Sequence, residues 1–92
     1  MKAERVVIHG RVQGVWYRAW TVEQARQRRL AGWVRNRRDG TVEAVFAGDG
    51  AAVEAMIEAC RTGPKRARVG EIERFPAEAP QGTGFHQLPD AD

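Results

Sequence analysis

Ninety-two residues, 42% hydrophobic and 29% charged, supply one modest core and no second one, so the sequence reads as a single domain over residues 1–92. No apolar run approaches the ~18 residues of a membrane span and the Met1-Lys2-Ala3-Glu4-Arg5 start leads into a short strand-like stretch, so the expectation is a cytoplasmic protein with no membrane partner. A lone cysteine, Cys60, excludes an internal disulfide, His9 and His86 alone fall short of a structural zinc site, and the lack of any serine excludes a Ser-His-Asp triad.

The charge is uneven. Residues 1–40 carry ten Lys/Arg against three acids, a balance of +7, whereas residues 41–92 carry five against nine, a balance of −4. The N-terminal half is therefore expected to attract anions, and 13 of the 15 bases are arginine, whose planar fork suits phosphate or carboxylate.

Taken in chain order, Arg5-Val6-Val7-Ile8-His9 is a β-branched run closed by Gly10, a first strand with Val6 and Ile8 on one face. From about Arg18 to Arg29 there is no Gly or Pro, and Ala, Gln, Glu and Arg predict a helix with Trp20 and Ala25 as its core contacts. Gly32 to Asn36 and Thr41 to Ala47, joined across Asp39-Gly40, predict a hairpin in which Val42, Ala44 and Phe46 share a face. A second helix begins at the N-cap Asp49, places Val53, Met56, Ile57 and Cys60 on one stripe, and stops at Gly63-Pro64. Cys60 thereby reads as a small core residue. Arg66 to Phe75 predicts a strand bent or bulged around Gly70. Phe85 and Leu88 mark a last short strand, and residues 89–92 are expected to be frayed. Two split βαβ units predict a ferredoxin-like α+β sandwich: an antiparallel sheet with both helices on one face.

Gly10-Arg11-Val12-Gln13-Gly14-Val15-Trp16-Tyr17-Arg18 lies between the first strand and the first helix. Such a loop can aim successive backbone N–H groups and the positive end of a helix at one point, forming an anion cradle over which Arg18 folds. An ordinary strand-to-helix turn fits the same spacing. Asn36, the only asparagine, can orient a water molecule without repelling a phosphate dianion, or can simply belong to the turn running to Gly40. His9 and His86 flank strands and read as surface or edge residues.

The run Ile8 to Arg18 closely resembles the phosphate-loop motif of acylphosphatases, and Gly32-Trp33-Val34-Arg35-Asn36 with Gly40-Thr41-Val42 and Gly48 resembles their second motif. The resemblance extends from about Val6 to Val69. It implies the ferredoxin-like fold and hydrolysis of the carboxyl-phosphate bond of small acyl phosphates, without metal or other cofactor. It also implies phosphate held by the backbone of Gln13, Gly14, Val15, Trp16, Tyr17 and Arg18, with Arg18 as the phosphate-binding arginine and Asn36 as the residue that orients the water. A phosphate oxygen of the substrate would take the water's proton. Tyr17 departs from the phenylalanine or methionine usual in the family, Arg28 and Arg29 from an apolar residue and a helix-ending glycine, and Gln87 and Pro89 from a longer C-terminal strand.

The expected partners are a small acyl phosphate and inorganic phosphate or sulfate, with the protein a monomer. Two other readings compete. One is a non-catalytic module binding acyl or carbamoyl phosphate, as found fused to larger carbamoyl-transfer proteins. The other is a basic ferredoxin-like RNA-binding domain, for which the third strand offers only Phe46 as a stacking ring.

Overall fold

The computed structural model describes residues 1–91 and orders them as β1 (Lys2–Arg11), α1 (Tyr17–Gln27), β2 (Ala31–Asn36), β3 (Val42–Gly48), α2 (Gly50–Cys60), β4 (Arg68–Pro76) and β5 (Phe85–Gln87). The five strands lie in the order β4-β1-β3-β2-β5. Val6 and Ile8 of β1, Val34 of β2, and Val42, Ala44 and Phe46 of β3 are fully buried in one core, which they share with Tyr17 and Ala25 of α1 and with Val53, Met56, Ile57 and Cys60 of α2. The period-2 alternation of the strands and the i, i+3, i+4 stripe of α2 therefore meet on one side of the sheet.

The sequence predicts an antiparallel sheet; the sheet is mixed. β1 pairs antiparallel with β3 and β4, and β2 antiparallel with β3, but β5 pairs parallel with β2, from Gly32 opposite Phe85 to Val34 opposite Gln87. The reason is directional. β4 runs opposite to β2, and residues 77–84 carry the chain to the far edge of the sheet, so the strand that follows enters in the direction of β2. Phe85 anchors it by stacking on Phe46 with ring centroids 5.4 Å apart.

Asp49 caps α2, its carboxylate accepting from the Ala52 N–H at 3.2 Å. The expected irregularity at Gly70 is a register shift between Ile8 and Gly10 on the partner strand β1. Gly10 has φ +119 there, and a Cβ would lie 2.2 Å from the Arg68 carbonyl oxygen, so only glycine fits. α1 ends two residues before Arg29, which takes φ 58. Arg29 N–H donates to Arg26 O and Leu30 N–H to Ala25 O, each at 3.0 Å, a Schellman closure built on arginine where glycine is favoured.

Beyond β5 the Leu88 N–H donates to Val34 O and the Ala91 N–H to Asn36 O, both at 2.9 Å, so the described part of the tail follows β2 past the end of β5. Pro89 has no N–H to give, and the ladder resumes beyond it. Asp92 lies outside the described residues.

Candidate active site

The end of β1, the start of α1, the end of β2 and the tail after β5 all reach the same edge of the domain. Between them lies a cleft of about 320 Å³ lined by Val12, Gly14, Trp16, Tyr17, Arg18, Ala19, Asn36 and Gln87. Of the residues expected to form the site, Gly14, Trp16, Tyr17, Arg18 and Asn36 are thus brought together. Gln13 and Val15, in the same loop, do not line the cleft.

Two buried valines, Val12 and Val15, pin the loop into the core, and between and beyond them the backbone turns left-handed at Gly14 (φ 74) and Trp16 (φ 66). Nothing lies within 4 Å of a Cβ built on Gly14, so its backbone angle, and not a lack of space, calls for glycine. Among the described residues, none accepts a backbone hydrogen bond from the N–H groups of Gly14, Val15 or Trp16. The first N–H groups of α1 add to these, and no acid in its first turn offsets the positive end of the helix.

Tyr17 sits at the first position of α1 with 1% exposure, and its hydroxyl donates to the Cys60 carbonyl at 2.6 Å. That bond satisfies the polar atom that the phenol adds, and burial pushes the phenol's pKa upward. Burial likewise pushes the Cys60 thiol up to about 12, which makes it inert. Arg18, one residue further, points outward, and its guanidinium pairs with Asp90 at 2.9 Å.

Asn36 is not in the turn. It is the last residue of β2, paired with Val42, and the turn starts at Arg37, whose N–H donates to Thr41 O at 2.9 Å. Its side chain lies on the core side with Val34, 8% exposed, and its Oδ1 has no partner among the described residues. An unpaired buried acceptor costs about 1–3 kcal/mol, so the fold holds it there at some expense.

The Gln13 side chain was not foreseen. Its amide donates to both Arg37 O and Thr41 O at 2.8 Å, tying the loop to the base of the hairpin that carries Asn36. The Thr41 hydroxyl and N–H bond Asp39 in turn at 2.6 and 3.0 Å and hold its carboxyl below its ordinary pKa. Asp90 was not foreseen either, because nothing near it in sequence marks it as a neighbour of Arg18. Phe46, the ring on which an RNA-binding reading would rest, is fully buried under the helices and offers no face to a base. On the opposite face of the sheet, Trp33 and Phe75 lie beneath the guanidinium groups of Arg35 and Arg5, at 4.8 and 4.4 Å.

The acylphosphatase family model matches residues 4–87. An acylphosphatase of Rhodospirillum rubrum is 61% identical over 97% of this chain and 98% of its own length. The crystal structure of an acylphosphatase from Bacillus subtilis superposes with a TM-score of 0.89 at 35% identity, covering 96% of this chain and 99% of that one. Full-length HypF, in its phosphate- and nucleotide-bound form, contains a similar unit, with a TM-score of 0.83 and 26% identity over 97% of this chain but 12% of HypF. With the family model matched over nearly all of the sequence, and a relative of the same extent sharing well over half of its residues, this chain belongs to the acylphosphatase family.

Proposed function

We propose that this chain carries out the reaction of its family, the hydrolysis of acyl phosphates, at the cleft between the β1–α1 loop and the end of β2, as a single monomeric domain over residues 1–92. One observation carries the assignment of the site. Arg18, a loop whose Gly14, Val15 and Trp16 N–H groups have no acceptor among the described residues, and the Asn36 Oδ1, likewise without a partner among them, all meet at that one cleft.

An acyl phosphate has a good leaving group, the carboxylate, so the protein chiefly has to hold the phosphoryl group, stabilise charge on its oxygens and aim a water in line. The backbone N–H groups of Gln13 to Arg18 bind the phosphate oxygens, and the Arg18 guanidinium follows the charge as it develops. Asn36 Oδ1 accepts a hydrogen bond from the attacking water and fixes its direction. The water oxygen bonds to phosphorus as the phosphorus–oxygen bond to the acyl group breaks. The electron pair leaves with the carboxylate, and a phosphate oxygen takes the water's proton. The products are one carboxylate and dihydrogen phosphate. No side chain has to act as a strong base, and neither metal nor cofactor enters the step. The same reading puts the protein in the cytoplasm, where its one thiol, the buried Cys60, stays reduced.

The test is release of inorganic phosphate from acetyl phosphate, with and without a chelator, by the wild type and by Arg18→Gln. Turnover by the wild type in both conditions, and a loss of about 100-fold or more in a folded Arg18→Gln protein, are expected. A fully active Arg18→Gln variant would move the site elsewhere, and phosphate bound tightly without turnover would favour the non-catalytic module.

A further inference from the structure

Trp16 is 77% exposed, between two neighbours, Val15 and Tyr17, that are 5% and 1% exposed. Its backbone is left-handed, with φ 66 and ψ 20, a conformation that bulky residues disfavour. It occupies the N-cap of α1 and makes no side-chain cap bond there, where a serine, aspartate or asparagine would serve the helix better. Packing, capping and backbone preference all disfavour tryptophan at this position. Trp16 does line the cleft that holds Arg18 and Asn36, where Val12 and Ala19 are also apolar.

A substrate of this cleft has two chemically different ends. The phosphoryl end is a dianion and takes the N–H groups and Arg18. The acyl end is uncharged and needs a surface that does not have to be rehydrated when it binds. Trp16 supplies a flat, rigid ring on the loop itself, and only two side-chain torsions have to be fixed when it is covered.

We infer that Trp16 is the acyl-group platform of the site and makes the protein prefer acyl phosphates with a planar, aromatic acyl group over those with a small aliphatic one. The inference rests on the hydrolytic reading of the cleft. The contact is made far from the reacting phosphorus, so it acts on ground state and transition state alike and shows in KM more than in kcat.

The experiment compares benzoyl phosphate with acetyl phosphate as substrates for the wild type, Trp16→Phe and Trp16→Gly. Glycine accepts the left-handed backbone, so the loop keeps its path, and any cost common to both substrates cancels in the ratio of their kcat/KM values. The wild type is expected to favour benzoyl phosphate. Trp16→Gly is expected to lower that preference about tenfold, mainly through KM, and Trp16→Phe to retain most of it. An unchanged preference in Trp16→Gly overturns the role of Trp16 while leaving the hydrolytic reading intact. A wild type that hydrolyses neither compound overturns both.

Discussion

The Asp90 carboxylate lies 2.9 Å from the Arg18 guanidinium, 72 residues apart in sequence, because the tail runs on beside β2 to the mouth of the cleft. The pair is exposed, and such pairs contribute about 0.2–1 kcal/mol. In the proposed site a phosphate dianion would share Arg18 with this carboxylate or displace it. Asp90→Asn should therefore tighten binding of inorganic phosphate by about twofold to fivefold. Titration of the rise in melting temperature with phosphate, which reports binding to the native state by mass action, measures the change. Weaker phosphate binding in Asp90→Asn would mean that the carboxylate orients Arg18 and does not compete for it.

Asn36 presents an acceptor with no partner among the described residues, so Asn36→Ala removes no hydrogen bond of the fold from that atom. The melting temperature should hold or rise, while on the proposed role, directing the attacking water, kcat should fall about 100-fold. Asn36→Asp keeps the shape but sets a negative charge beside the substrate dianion, so both kcat and phosphate affinity should fall. Retention of most of kcat by a folded Asn36→Ala protein would sink the role given to this residue.

Arg29 is exposed and closes α1 with φ 58. Arg29→Gly removes the clash of its Cβ in that backbone and should stabilise the domain by about 1 kcal/mol, roughly 4–8 °C in melting temperature. The site is untouched, so kcat/KM should not move. A lower melting temperature would show that the arginine side chain contributes more than its backbone costs.

At the opposite end of the sheet, Arg74 donates to both carboxylate oxygens of Glu4, at 2.8 and 2.6 Å, and also pairs with Glu54, which Lys2 contacts too. The Arg74 hydrogen bonds, followed by those of Lys2, hold the Glu54 carboxyl down at about 2, and Arg74 likewise holds Glu4 below its ordinary value. Both shifts are downward on folding. The stability they contribute is therefore present above the ordinary value near 4.5 and is lost as the pH falls toward about 2. Melting temperature measured from pH 5 to about pH 2 should fall less steeply in Arg74→Met than in the wild type. Parallel curves would show that this cluster takes no part in acid unfolding.

The sequence by itself determined what depends on near neighbours along the chain. The hairpin around Asp39-Gly40, the α2 stripe of Val53, Met56, Ile57 and Cys60, the Asp49 cap and the irregularity at Gly70 all follow from period and turn chemistry within a few residues. So does the placing of Gly14 and Arg18 at one strand-to-helix junction, because a short connection leaves little freedom. Only the tertiary structure decided what depends on strand pairing between distant segments. It set β5 parallel to β2, placed Asn36 in the strand with its Oδ1 unpaired among the described residues, sent the Gln13 amide to Arg37 and Thr41, and brought Asp90 to Arg18. A side chain's partner across the sheet is fixed by register and by which edge the chain returns to, and neither is written in local period.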